Sequence, residues 1–131
     1  FMSRYLEVIR SLYQAFAEGN VPSVLGALSP NVRWTEAAGG PYGGVYIGPQ
    51  AVLERVFARI GAEWEGFTAT PAEFVCEGSS VVAIGEYSAT FKATGKSFKA
   101  PFVHVWKFDG ETIASFHQHT DTVLHTQPMH R

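Results

Sequence analysis

The sequence predicts an α+β domain with helices set against one face of a curved sheet, and three observations carry that expectation. Apolar side chains recur at helical spacing as far as Trp64; after Gly66 they alternate instead; and three glycine-centred turns cut the alternating part into four long runs. Helices first and a meander of strands after them is the order of an α+β domain, not of a parallel sheet with crossovers.

The elements follow in turn. Residues 3–18 set Leu6, Ile9, Leu12, Tyr13 and Phe16 on one helical stripe, with Ser3 placed to cap the start and Gly19-Asn20 to stop it. Pro22 opens a second, short helix that buries Val24, Leu25 and Leu28 and is closed by Ser29-Pro30. Residues 31–37 alternate, putting Val32, Trp34 and Glu36 on one strand face and Arg33 and Thr35 on the other. The Gly-Gly-Pro-Tyr-Gly-Gly stretch at 39–44 reads as a flexible loop. Gly48-Pro49 begins a third helix with Val52, Val56, Phe57, Ile60 and Trp64 as its stripe. The strand runs are 67–76, 81–92, 97–108 and 112–124, separated by Glu77-Gly78-Ser79, Thr94-Gly95-Lys96 and Asp109-Gly110-Glu111. Without an internal repeat or a linker, residues 2–125 read as one domain, 126–131 as a flexible tail, and Phe1 ahead of Met2 as a tag remnant.

Composition narrows the function classes. At 131 residues the chain can bury a real core, and its 14% aromatic content exceeds what such a core needs, which points to a ring-lined pocket or an aromatic subunit interface. A net charge of −2 with scattered Lys and Arg leaves no footprint for nucleic acid. No apolar run reaches the length of a membrane span, and no charged-then-apolar leader is present. Cys76 is the only cysteine, so no internal disulfide is expected and a reducing cytoplasm is the expected compartment. Its strand neighbours predict a packed, inert thiol. No phosphate loop, dinucleotide fingerprint or nucleophile elbow occurs, and no cofactor is expected.

Four local sequences carry a family resemblance: Tyr13-Gln14-Ala15-Phe16-Ala17-Glu18-Gly19-Asn20 ending the first helix, Val32-Arg33-Trp34, Tyr46-Ile47-Gly48-Pro49-Gln50-Ala51-Val52 and Phe116-His117-Gln118-His119-Thr120-Asp121. In this order and spacing they resemble the nuclear-transport-factor-2-like superfamily, and within it the SnoaL-like and ketosteroid-isomerase-like proteins. The resemblance implies a cone-shaped, barrel-like fold, with three N-terminal helices packed on the concave face of a curved, mostly antiparallel sheet. It leaves activity open, because that fold hosts isomerases, epoxide hydrolases, cyclases, dehydratases and non-enzymatic modules.

Strand alternation selects the residues that enter such a cone. On 97–108 one face carries Phe98, Ala100, Phe102, His104, Trp106 and Phe108, the better pocket candidate; the resemblance also turns Phe116, Gln118 and Thr120 inward. Glu36 stands where the ketosteroid isomerases carry their carboxylate base. Beside Trp34 in an apolar cavity its pKa would rise; as a strand-end glutamate beside the Gly-rich loop it would sit in water. His104 matches the isomerases' protonated aspartate, and two readings stay open: oxyanion donor, acid or base on one side, a histidine satisfied within the sheet on the other. Tyr13 lies one position past the isomerases' oxyanion tyrosine. The arginine and carboxylate positions of the epoxide hydrolases are occupied by Gly85, Tyr87 and Gln118, which argues against that activity. His117, His119 and Asp121 share a face but lack a fourth ligand, so a polar convex face or dimer interface is expected there and no metal.

The expected function is therefore cofactor-independent proton transfer on a small hydrophobic, carbonyl-bearing molecule, of isomerase, cyclase, dehydratase or lyase type. Glu36 is the expected base, with His104 and Tyr13 stabilising negative charge. Trp34, Phe16, Tyr87, Phe102, Trp106 and Phe116 are the expected walls, and Gln118 the group that orients the ligand. The alternatives are a binding module without turnover, or a dimerising assembly domain with a vestigial pocket. A homodimer is expected in each case.

Overall fold

Helix α1 (Arg4–Ala17) forms as the sequence stripe demands, turning Ile9, Leu12, Tyr13 and Ala15 inward in the computed structural model, which describes residues 4–131. The cap expected from Ser3 and the readings of Phe1 and Met2 lie outside the described residues. Gly19, at φ 73°, takes the left-handed conformation that stops the helix cheaply. Asn20 then accepts a hydrogen bond from the Ser23 amide (3.3 Å) and starts α2 (Val21–Gly26).

The second helix ends sooner than expected. Leu28 belongs to β1 (Leu28–Glu36), and Pro30 lies inside that strand. The strand tolerates it because the register with its neighbour slips between Leu28 and Arg33, where no ladder hydrogen bond is asked of the proline. The glycine-rich stretch is not a loose loop. Tyr42 is buried within it; its hydroxyl donates to Glu63 Oε1 (2.5 Å) and accepts from Trp64 Nε1 (3.0 Å). The segment then enters a short strand, β2 (Gly44–Ile47), antiparallel to β1. Tyr46-Ile47, the first two residues of the resemblance motif that runs on to Val52, belong to that edge strand.

The third helix is one rod of three parts, α3 (Pro49–Val52), a π-helical stretch (Leu53–Phe57) and α4 (Ala58–Glu63). Trp64 already belongs to β3 (Trp64–Glu77), followed by β4 (Ser80–Phe91), β5 (Ser97–Asp109) and β6 (Thr112–Thr120). The six strands form a curved, open sheet in the order β2-β1-β6-β5-β4-β3, antiparallel except for the β1–β6 pair. Burial on β5 alternates strictly, with Phe98, Ala100, Phe102, His104, Trp106 and Phe108 inside.

Two further expectations are corrected. Cys76 is exposed, because it sits near the end of the edge strand β3, where the adjoining Val75 and Glu77 are exposed too. The last strand stops at Thr120, and Asp121 caps a helix, α5 (Thr122–Thr126), by accepting from the Leu124 amide (3.1 Å). The segment read as a flexible tail continues as a 3₁₀ turn (Gln127–Met129) tied to the turn between β4 and β5. Thr94 donates to the Pro128 carbonyl (2.5 Å) and Lys96 to that of His130 (2.7 Å).

Candidate active site

The site is built from one row of the sheet and the helix above it. In register, Trp34 pairs with Phe116 and Phe116 with Trp106, and one step further along the strands His104 pairs with Gln118. The Trp34 and Phe116 rings stack at 3.9 Å, and Trp106 meets Trp34 edge-on at 5.7 Å. These rings form the floor of an interior cavity of about 50 Å³, roofed by Leu12, Tyr13 and Phe16 of α1 and by Val56, Phe57 and Ile60 of the third rod. At roughly 10–15 Å³ per water, it holds a few waters or one small organic fragment.

Glu36 is the charged residue in that wall, and it is 7% exposed. Its Oε2 accepts from the indole N–H of Trp34 two residues back (2.9 Å). The ion pair found among the described residues is remote, between Arg4 and Glu111. Burial strips water from the carboxylate and pushes its pKa up from 4.5 to about 7, against a smaller lowering by the Trp34 hydrogen bond. The solvated reading of Glu36 is thereby set aside.

His104 does not face the open space with either nitrogen. Nδ1 bonds the Tyr13 hydroxyl (2.5 Å), and Nε2 bonds the Tyr87 hydroxyl. The expectation that His104 itself donates to a ligand is corrected accordingly: its reach is through two tyrosines. Burial, and secondarily the charge of His119, depress its pKa to about 3, so the ring is neutral with one N–H and one lone pair. Each tyrosine also accepts a second hydrogen bond. Trp106 Nε1 donates to Tyr13 (3.0 Å), and Gln118 Nε2 donates to Tyr87 (2.9 Å). The orientation of Gln118 is fixed because its Oε1 accepts from the Ala37 amide (3.0 Å).

The two histidine–tyrosine contacts use two protons, while the neutral ring and the two phenols together hold three. If Nδ1 is bare, Tyr13 donates to it, Nε2–H fills the second lone pair of Tyr87, and the Tyr87 proton stays unspent. In the other tautomer the Tyr13 proton stays unspent. Either way, one phenol O–H is left for a ligand. Burial raises the pKa of both tyrosines, so both remain protonated, and nearby Glu36 raises that of Tyr87 further.

Of the sequence candidates, Tyr13, Glu36, His104, Trp34, Phe16, Tyr87, Trp106, Phe116 and Gln118 all line the cavity. Phe102 does not: it stacks behind His104 at 3.9 Å, filling the space that Gly85 leaves on β4. A Cβ on Gly85 would come within 2.7 Å of that ring. His117 and His119 are exposed and stacked on each other (4.4 Å), while Asp121 is committed to capping α5. Sequence reasoning missed Tyr42, Phe57, Phe67 and His125 in the wall. An Asp followed four residues later by His at a helix start was the available signal for His125.

The family model described as a SnoaL-like domain matches residues 9–116. Among solved structures, a nuclear-transport-factor-2-like protein of Burkholderia thailandensis is 34% identical, with 99% of this chain and 100% of that one covered and a TM-score of 0.95. A similar protein of Burkholderia pseudomallei, described as of unknown function, is 30% identical over 99% and 100% of the chains, with a TM-score of 0.92. TerC, co-crystallised with polyporic acid, is 25% identical over 92% and 94%, with a TM-score of 0.83. No curated protein matches.

Proposed function

The chain belongs to the SnoaL-like domain family, and from that premise we propose that it is a cofactor-independent enzyme moving a proton on a small, hydrophobic, carbonyl-bearing molecule. The carbonyl oxygen takes the O–H that the Tyr13–His104–Tyr87 network leaves unspent. Glu36 removes the proton from the adjacent carbon, the electron pair moves onto oxygen as an enolate, and the tyrosine holds that charge. Glu36 then returns the proton to another carbon, or to a leaving oxygen, which restores the enzyme. The observation that supports this most is a carboxylate buried in the wall of the same cavity that Tyr13, His104 and Tyr87 line, where burial raises its pKa to about 7. A base poised there is half ionised at neutral pH, which suits proton transfer in both directions. That the related TerC was crystallised with polyporic acid supports a small-molecule role for the fold.

Exchange of carbonyl α-protons tests the reading without a known substrate. Acetone and cyclopentanone in D₂O at pH 7.5, followed by proton NMR, should lose α-protons faster with the protein than without it. Glu36→Gln should lower the catalysed rate by about 10²–10⁴. Exchange at the uncatalysed rate, or a fully active Glu36→Gln, would refute it. One observation favours a second reading: 50 Å³ is small beside the roughly 300–1,000 Å³ of common ligand pockets. A pocket largely filled by its own rings suits a binding-only or assembly role, which predicts no exchange with either probe.

A further inference from the structure

Three protons shared between His104 and its two tyrosines leave open which phenol keeps one free, and the two ends of that network differ. The Tyr13 end meets Trp106 Nε1 (3.0 Å), a neutral donor on β5. The Tyr87 end meets Gln118 Nε2 (2.9 Å), and the same carboxamide accepts from the amide of Ala37 (3.0 Å), the residue after Glu36. One side chain thus spans from the Tyr87 hydroxyl to the backbone beside the carboxylate. The charge of Glu36 acts on Tyr87 accordingly, whereas Tyr13 is shifted by burial and, in the opposite sense, by its bond from Trp106. The two tautomers of His104 answer that charge differently. With the ring proton on Nε2, both it and the free O–H lie at the Tyr87 end; with it on Nδ1, both lie at the Tyr13 end. A buried carboxylate on the Tyr87 side favours the first arrangement.

We propose that Tyr87, and not Tyr13, carries the free O–H whenever Glu36 is ionised, with His104 as the positioning residue through which the base sets the place of the donor. This rests on the proposed function for the use made of that O–H and deepens it: the oxygen of the ligand is held at Tyr87. It departs from the resemblance, which gave that part to Tyr13. Exchange between the two arrangements conserves protons. Tyr13 passes its own to Nδ1, Nε2 passes its own to Tyr87, and the one Tyr87 held free returns to Tyr13 through an oxygen in the cavity. Once Glu36 is protonated its bias is gone and the tautomers approach balance. The other groups facing the network hold their state. Burial keeps Tyr13, Tyr42 and Tyr87 protonated and His125 neutral, and Tyr42 is itself bonded to Glu63 with Arg59 over its ring. The third rod and β3 present apolar side chains to the cavity. On the outer face of β6, beside His117, His119 acts on His104 through the sheet.

The ¹⁵N resonances of His104 report its tautomer with no ligand present. They are followed from pH 5.5 to pH 9 in the wild type, in Glu36→Gln and in His119→Gln, which alters the exposed outer face. In the wild type Nε2–H should be in excess at pH 9. Its ratio to Nδ1–H should fall about threefold or more toward pH 5.5 as Glu36 gains a proton near pH 7, the two nitrogens moving in opposite directions. Glu36→Gln should show no such change, and His119→Gln the full change. Exchange of α-protons gives a second readout: Tyr87→Phe should be slower than Tyr13→Phe by about tenfold, because His104 can still direct Nε2–H to Tyr87 when the Tyr13 hydroxyl is gone. Nδ1–H in excess at pH 9, a ratio that does not follow pH, a change that persists in Glu36→Gln or vanishes in His119→Gln, or equal losses in the two tyrosine variants would each overturn the proposal. Exchange at the uncatalysed rate in the wild type, beside the expected tautomer change, would strike the proton transfer and leave the donor assignment standing.

Discussion

Replacing Glu36 by Gln should change the pH dependence of stability in a way that isolates one carboxyl group. In the unfolded chain it titrates near 4.5 and in the folded chain near 7, because burial disfavours its charge. Below pH 4.5 it is protonated in both states and costs nothing. Between the two values the unfolded chain gives up its proton first, so stability falls as pH rises, and above 7 the full cost of a buried carboxylate is in place. At about 1.4 kcal/mol per pH unit the total is about 3 kcal/mol, most of it falling between pH 5 and pH 8.5. His104 and His125 pull the other way. Their folded values near 3 and 4 lie below the ordinary 6.5, so each removes stability as pH falls below 6.5. They are present in both proteins and cancel in the difference. Urea melts of wild type and Glu36→Gln at pH 5 and pH 8.5 should therefore show the variant gaining about 2.5 kcal/mol on the wild type, or about 10 °C in melting temperature. A difference constant to within about 0.5 kcal/mol, or one that grows in favour of the wild type, would refute the desolvation argument and with it the poised base.

Three more outcomes follow from the same geometry. Trp106→Ala should cost about 3–5 kcal/mol in a urea melt, since its ring, although it forms part of the cavity floor, is buried against Trp34 and Phe116; a loss under about 2 kcal/mol would mean that those ring contacts contribute little to stability. Tyr13→Phe and Tyr87→Phe should each slow α-proton exchange by about 10- to 100-fold. Because both act through His104, the double variant should lose less than the product, and strict multiplicativity would break that link. A homodimer through the convex face of β5 and β6, where His117 and His119 lie exposed, should sediment at twice the chain mass at micromolar concentration; a clean monomer would remove that interface.

What the sequence made legible was whatever depends on period. Alternation grouped Trp34 with Glu36 and His104 with Trp106, because side-chain direction on a strand is fixed by parity and the aromatic face marked the inside of β5, while the resemblance was needed to turn Phe116 and Gln118 inward. What depends on partners was hidden. Phe102 shares parity with His104 but lies behind it, since Gly85 across the strand leaves room for the ring there. The burial of Cys76 was misread because local pattern does not reveal which strand ends up at an edge. Tyr42 pins a stretch rich in glycine through Glu63 and Trp64, twenty or so residues away, and no local rule foresees that. His125 was lost when the last strand was extended through Asp121, although that aspartate was itself a helix-start signal.

The parallel pairing of β1 with β6 has a consequence for how the molecule comes into being. Strand β1 ends at Glu36 and can pair with β2 at once, but its parallel partner β6 does not exist until residue 120 has been synthesised, so the join of that hairpin to the rest of the sheet must wait for the last strand. Closing a loop of that length is slow compared with folding any hairpin of the meander. On the ribosome, β3 to β5 can pair as they emerge, while Trp34 and Glu36 wait without a floor beneath them. Glu36 and Gln118 come together only at that final junction, across which the Ala37 amide reaches Gln118. A nascent chain or a C-terminally clipped one therefore lacks the closed cavity, and the Glu36 carboxylate is not buried until the fold is complete.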